Sequence, residues 1–298
     1  MTRRQRENLR NGLLFVSPWL LGILIFLLYP IAASFYYSFC EYSVLTPTQY
    51  IGLGNYQDLM NDEVFWKSLW NTFIYAVVAL PLTSIIAILL ALLLNMDIKG
   101  KSFFRTIYFL PSLLPVIAVA ILWQWIFNGQ FGLLNYLLSF GGIAGPNWLT
   151  DPKWSKTALI IMSLWGAGNT MIIYLAGLQE VPQELYEAAE LDGAVGLRKV
   201  WHVTLPMISP VIYFNVIMGI IGTLQVFAAP YILGGGAGSI GAPARSLLFY
   251  TMYLYDNAFR YLRMGYASAM AWILFILILV CTWLATWISK RYIYYAGK

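Results

Sequence analysis

Charge is scarce in this chain of 298 residues, of which only 10% are Asp, Glu, Lys or Arg, against roughly 25% in a soluble domain. Histidine occurs once, at His202, and cysteine twice, at Cys40 and Cys281. A lone histidine with no thiol or acidic cluster beside it argues against a metal centre. Two cysteines so far apart offer neither a disulfide framework nor ligand spacing. All 13 acidic residues lie outside the long apolar runs, so no paired carboxylates and no Ser/His/Asp set converge. No catalytic residue and no metal ligand is expected.

What the chain has instead is apolar length: 60% of its residues are hydrophobic and its mean hydropathy is +0.69. Six runs, 11–38, 69–96, 106–128, 157–179, 206–233 and 264–289, contain no Asp, Glu, Lys, Arg or His. Each is long enough to cross about 30 Å of hydrocarbon. Backbone polar groups in lipid need partners within their own segment, so runs of this length must be helices. The expected fold is an all-α membrane protein with six transmembrane helices, forming one transmembrane domain over 1–298. Pro18, Pro30, Pro81, Pro111, Pro115 and Pro230 fall inside the runs and are expected to kink rather than abolish them.

Lysine and arginine set orientation by their asymmetry. Arg3, Arg4, Arg6, Arg10, Lys99, Lys101, Arg105, Arg198, Lys199, Lys290, Arg291 and Lys298 fall on one side of a six-span chain. Lys67, Lys153, Lys156, Arg245, Arg260 and Arg263 fall on the other, in longer loops. Both termini are therefore expected in the cytoplasm. The first run exceeds a signal-peptide core and lacks a small-residue cleavage site, so it reads as an uncleaved helix. Tyr36, Tyr37, Trp70, Trp154, Trp287 and Tyr292 near run ends suit an interfacial aromatic belt. The net charge of +5 follows from the basic flanks and does not indicate nucleic-acid binding.

One inter-helical loop, 180–205, differs from everything around it. Pro182 can open a helix, Glu184, Glu187 and Glu190 follow, and Ala188 with Ala189 favours helix. Gly193 suits the left-handed turn that ends it. A second stretch, 194–202, carries Arg198 and Lys199 toward its own negative end before Pro206 starts the fifth run. Small residues at Ala188, Ala189, Gly193 and Ala194 would let a partner protein approach closely, with acidic residues fixing its register. A solvated amphipathic connector fits the same residues.

Glu187-Ala188-Ala189, then Gly193, then Val203-Thr204-Leu205-Pro206 resembles the EAA loop of permease subunits of binding-protein-dependent ABC importers. The family pattern has Glu-Ala-Ala, three residues, Gly, nine residues and Ile-x-Leu-Pro, and Val203 replaces the Ile. Segments 15–39, 52–73, 175–194 and 258–275 are similar to the sugar-importer branch, in particular the first-permease type of the maltose, glycerol-phosphate and trehalose systems. The resemblance implies that Glu187, Ala188, Ala189, Asp192 and Gly193 meet an ATPase subunit. It implies a second, homologous permease, two ATPase subunits, an extracytoplasmic sugar-binding protein, and residence in a prokaryotic inner membrane. No cofactor is expected on this chain, ATP and Mg being at the partner ATPase.

The chain's own imitations of nucleotide sites carry no weight. Gly100-Lys101-Ser102 ends like a P-loop, but Asn95 stands where the first glycine belongs. Gly236-x-Gly238-x-x-Gly241 follows an apolar run instead of opening a βαβ unit. Mid-run residues are neutral and polar: Gln124, Asn169, Thr170, Asn215, Thr223 and Gln225. They could bond sugar hydroxyls, with Trp165 or Phe227 stacking on ring faces, or bond neighbouring helices. Asn169, Thr223 and Gln225 correspond, by the resemblance, to positions where maltose-type permeases place sugar contacts, although the residue types differ. The expected pathway set is Trp165, Asn169, Thr170, Thr223 and Gln225. The missing cation favours a neutral saccharide over a phosphate ester. An ion-coupled secondary carrier or channel would need ionisable groups at membrane depth, and an integral membrane enzyme would need clustered acidic, His or Cys residues.

Overall fold

A computed structural model of the chain describes residues 2–97, 99–236, 241–291 and 293. Contacts divide it into two units, Met1–Asp62 with Leu254–Phe275 and Glu63–Tyr253 with Ile276–Lys298.

The first unit opens with α1 (Arg3–Ile23), a π-helical turn at Leu24–Leu28 and α2 (Tyr29–Tyr37). Together they form one helical stretch of 35 residues, about 50 Å long at 1.5 Å per residue. Thr2 caps it: its hydroxyl accepts from the Gln5 amide while the Gln5 side chain accepts from the Thr2 amide, a capping box. The helix thus begins eight residues before the charge-free run, and Arg3, Arg4, Arg6 and Arg10 ride on its first turns instead of forming a separate flank. Cys40 lies buried on β1 (Cys40–Ser43), which pairs antiparallel with β2 (Thr46–Tyr50). Asn55, on α3 (Gly54–Asn61), fixes this corner by donating to the carbonyls of Ser38 (2.9 Å) and Cys40 (2.8 Å).

The rest of this unit comes from 254–275. Tyr266 donates to Asp62 at 2.6 Å, and the Arg263 guanidinium lies 4.2 Å from the centre of the Tyr266 ring and 3.7 Å from Asp58. A π-helical turn, Asp256–Arg260, buries Asp256 with its carboxylate 3.5 Å from Arg260. Burial pushes that carboxyl above the ordinary range, and the guanidinium opposes the shift without cancelling it.

The second unit is organised around α4 (Glu63–Asn95), whose 33 residues exceed the length of the hydrocarbon layer. One stripe of it is small and fully buried, with Ala79, Ala87 and Ala91 at 0–1% exposure, which allows close approach of neighbours. Another stripe, Leu82, Ile85, Leu89 and Leu93, remains exposed and apolar, as a lipid-facing surface requires. Asn71, buried toward the N-terminal end of α4, donates to the carbonyls of Arg245 and Leu248.

The third run is not one straight helix. α5 (Lys101–Leu113) and α6 (Val116–Ile126) meet at 99°. Pro115 disfavours helical geometry at the residue before it, and Leu114 is accordingly extended (φ −77°, ψ 141°). Pro18, Pro81 and Pro111, by contrast, sit inside their helices. After the short α7 (Leu133–Phe140), the fourth run is also bent, by 45°, between α8 (Ser155–Trp165) and α9 (Gly168–Gln179). Gly168 lets α9 touch α5, because a Cβ there would collide with the backbone of Tyr108 and Phe109.

The loop helix α10 (Gln183–Leu191) is followed by α11 (Leu197–Lys199), a π-helical turn at Val200–Thr204, and α12 (Leu205–Met207). The second helical stretch therefore starts at Leu197 rather than at Ala194, because Gly196 takes φ +55°. It runs through Pro206 to Met207, so Pro206 does not open the fifth span. That span is α13 (Ser209–Leu224) with α14 (Ala228–Leu233), and α15 (Tyr250–Tyr255) and α16 (Met264–Ser289) follow. The fold is mostly helical. Among the described residues, four helices are long and apolar enough to be candidate spans, or up to six when each bent pair counts as one.

Candidate functional site

Three interrupted helices converge on one place in the second unit. A cavity of about 550 Å³ is lined by α4 (Tyr75, Thr83, Ser84), by the α8–α9 pair (Ser163, Asn169, Thr170) and by α13 (Asn215, Thr223), with Val226 at its edge. An adjoining cavity of about 370 Å³ shares Tyr75, Ser163, Asn169 and Val226 and adds Ser112, Leu114, Trp165 and Gly166. Leu114 belongs to the 99° bend, Gly166 to the 45° bend and Val226 to the break between α13 and α14. Non-helical backbone at membrane depth is tolerated where it is buried in protein or lines a cavity, and all three breaks do line one.

The lining is mostly apolar, with hydroxyl and amide groups set into it, and no charged side chain is among the described residues that form it. Several of its groups are committed to backbone: Thr223 donates to Gly219 (2.7 Å), Asn215 to Val211 (2.9 Å) and Ser163 to Ile160 (2.7 Å). Their oxygens still accept. Asn169 differs, being exposed to the cavity with no hydrogen-bond partner among the described residues. An unpaired amide among hydroxyls, with the exposed Trp165 lining the adjoining cavity beside it, is chemistry for a hydroxyl-rich neutral solute.

Of the residues singled out from the sequence, Asn169, Thr170 and Thr223 meet on the larger cavity and Trp165 lines its neighbour. Gln225 does not join them. It is exposed at the end of α13 and lines neither cavity. Gln124 bonds the Ile232 carbonyl at 2.7 Å, tying α6 to α14, and Phe227 stacks on Tyr231. Sequence reasoning missed Tyr75, Thr83, Ser84 and Ser163. Tyr75, Ala79 and Thr83 recur every four residues, so the helical period of α4 was the signal that could have found the first two.

The second functional element is the Glu-Ala-Ala loop. α10 ends in a Schellman motif: Gly193 takes φ +78°, its amide bonds Glu190 (3.0 Å), and the Ala194 amide bonds Ala189 (2.8 Å). Glu187, Ala188, Asp192 and Gly193 are exposed and Ala189 is half-buried. Beside them Leu191, Val195, Leu197 and Trp201 expose 67–90% of their surface. So apolar a knuckle on an otherwise charged loop is a candidate interaction surface, and these four side chains are absent from the residues the sequence pointed to. His202 places Nδ1 3.0 Å from the Arg198 carbonyl, a local helix contact. Gly100, with φ +77°, caps the start of α5, and Lys101 reaches back to the Asn95 carbonyl, so the P-loop-like letters serve a helix start. Of the dinucleotide-like letters, Gly238 lies outside the described residues.

Residues 79–294 match the protein family described as the binding-protein-dependent transport system inner membrane component. The chain is 37% identical to YesP of Bacillus subtilis, a probable ABC transporter permease protein, over 100% of this chain and 96% of that one. It is also 37% identical to the lactose transport permease LacF of Rhizobium radiobacter, covering 94% of each chain. It is 33% identical to the trehalose/maltose transport permease MalF of Thermococcus litoralis, over 91% and 90%. Among solved structures, a chain of a bacterial ABC transporter involved in import of the acidic polysaccharide alginate aligns with TM-score 0.80 at 26% identity, covering 97% of this chain and 99% of that one. The chain belongs to the family of binding-protein-dependent transport system inner membrane components, as the multi-pass permease of an ABC importer and not its catalytic subunit.

Proposed function

We propose that the chain, as a single transmembrane domain with both termini in the cytoplasm, forms with a second, homologous permease the pathway for a neutral sugar or oligosaccharide. The observation that carries this is the uncharged cavity at the three helix breaks, an apolar wall set with hydroxyl and amide groups, among them the Asn169 amide, which has no partner among the described residues. Asn169, Thr170 and Thr223 contact the cargo's hydroxyls, and Trp165 offers a ring face. Gln225, exposed at the break, approaches cargo from the side where the second permease closes the pathway. Relatives named for lactose, trehalose/maltose and arabinooligosaccharide transport support a saccharide cargo.

The exposed knuckle formed by Glu187, Ala188, Ala189, Asp192 and Gly193, with Leu191, Val195, Leu197 and Trp201 beside it, docks on one of two ATPase subunits, where ATP and Mg are bound. An extracytoplasmic binding protein delivers the saccharide; the related alginate transporter is known in complex with its loaded periplasmic protein. ATP shifts the transporter between inward- and outward-facing states only by its differential affinity for the two. An acidic saccharide is the second reading, favoured by the likeness to the alginate transporter. Uptake into proteoliposomes holding the complete transporter and its binding protein decides between them. Neutral oligosaccharides accumulate and compete with one another on the first reading, and only uronates or sulfonated sugars do so on the second.

A further inference from the structure

The α10 knuckle is joined to the fifth span by a glycine-containing backbone link and by a set of side-chain contacts across it. The link, 192–196, holds two glycines with positive φ, Gly193 and Gly196, and neither has an atom within 4 Å of the place a Cβ would take. Neither glycine is therefore held by side-chain packing, and the positive φ of each is one that glycine adopts without strain. Across it, the Lys199 ammonium pairs with the Glu190 carboxylate and lies 5.8 Å from the centre of the Tyr186 ring. The Tyr186 hydroxyl is 3.2 Å from Thr204 Oγ1, and that hydroxyl is 3.4 Å from the Lys199 carbonyl. Thr204 is 3% exposed, and Lys199 is the more sheltered member of its ion pair, at 24% against 57% for Glu190.

Tyr186 and Glu190 stand one turn apart on α10, while Lys199 and Thr204 bracket the π-helical turn that leads through α12 into α13. A π turn carries a surplus residue and is a frequent site of functional adjustment. We propose that Tyr186, Glu190, Lys199 and Thr204 form a brace that makes the loop helix and the start of the fifth span move as one body. Displacement of α10 then reaches Asn215 and Thr223 of the cavity through these side chains and not through the glycine link. The four are positioning residues, and the proposal rests on the reading that α10 docks on an ATPase subunit.

The test uses the full transporter in nanodiscs, with Lys199→Glu, Glu190→Lys, their combination, and Tyr186→Phe. Three readouts are taken: retention of the ATPase subunits, stimulation of hydrolysis by loaded binding protein, and uptake by the same transporter in proteoliposomes. The brace predicts that each single variant keeps its ATPase subunits yet loses stimulation and uptake at least about five-fold, the lower end of ordinary coupling between sites. Combining the charge reversals restores at least half of both. Normal stimulation in the single variants overturns the brace, as does a double variant no better than either parent. Gly193→Asp serves as the reference: if it too retains the ATPase subunits, the docking reading fails. If it releases them while Lys199→Glu behaves as wild type, only the brace fails.

Discussion

The side-chain amide of Asn71 lies 2.8 Å from the carbonyl oxygen of Leu248, 177 residues further along the chain. Its other proton reaches the Arg245 carbonyl at 2.9 Å. One amide on α4 thus holds the end of the loop that precedes α15. Asn71→Ala leaves two carbonyls without their donor in a site where Asn71 itself is 2% exposed. The expected cost is about 2 kcal/mol, read as a fall in Tm of the detergent-purified chain relative to wild type. An unchanged Tm would mean that the loop is held by other contacts.

Gly168→Ala is expected to separate α9 from α5, because the added methyl meets the Tyr108 carbonyl and the Phe109 Cα. Neither is the end of a flexible side chain, so the helices themselves must move, at about 1–3 kcal/mol. Thermal unfolding should report the loss. A Gly222→Ala comparison, with open space at its Cβ, should show far less.

Asn169→Ala removes the free amide from the cavity wall without breaking any internal hydrogen bond among the described residues. Loss of one bond to a saccharide hydroxyl, about 1 kcal/mol, corresponds to roughly five-fold lower uptake at limiting cargo. Gln225→Ala, off both cavities, should cost less. Competition uptake assays with two saccharides check the order of the two variants.

Gly193→Asp forces a β-substituted residue into φ +78° and places a second carboxylate beside Asp192 on the exposed knuckle. Insertion into the membrane is expected to continue while ATPase association and transport are lost. Co-purification of the ATPase subunits after mild extraction is the check. Normal association would remove the knuckle from the coupling path.

The buried Asp256 gives a pH dependence with a definite sign. Its folded-state carboxyl titrates above the ordinary range because of burial, so the folded state binds its proton more tightly than the unfolded state does. Stability of the Asp256–Arg260 turn should therefore rise as pH falls through the folded value toward the ordinary one, and decline as pH rises. Hydrogen exchange across that turn in wild type and Asp256→Asn would show the slope in the first and a flatter profile in the second.

Much of this was legible in the sequence, and the limits have physical causes. Helical spans could be placed because charge cannot enter hydrocarbon, so the six uncharged runs coincide with the four long helices and two bent pairs. The bends could not be told from proline alone. Pro81 and Pro111 stay within helices while Pro115 accompanies a 99° turn, and the 45° bend falls at Gly166 and Ala167 with no proline. The helix of the first span reaches back past the uncharged run to Arg3, because Arg3 to Arg10 repel lipid but not helix. In the loop, Pro182 and Gly193 marked α10 correctly, whereas Gly196 shifted the next start to Leu197. The hairpin Cys40–Tyr50 has no clean alternation to reveal it, and its strands show a register irregularity between Glu41 and Ser43. The cavity was half legible: Asn169, Thr170 and Thr223 stand out as polar residues in apolar runs, but their meeting with Tyr75, Thr83 and Ser84 depends on helix packing.

Affinity purification of the tagged full chain from its native membrane under mild extraction, followed by identification of its partners and an ATPase assay, tests the central claim most directly. The account predicts recovery of a second permease and an ATPase whose hydrolysis rises with one binding protein loaded with a neutral saccharide. A chain that purifies stably alone, without ATPase, and still carries its cargo across a membrane would contradict it.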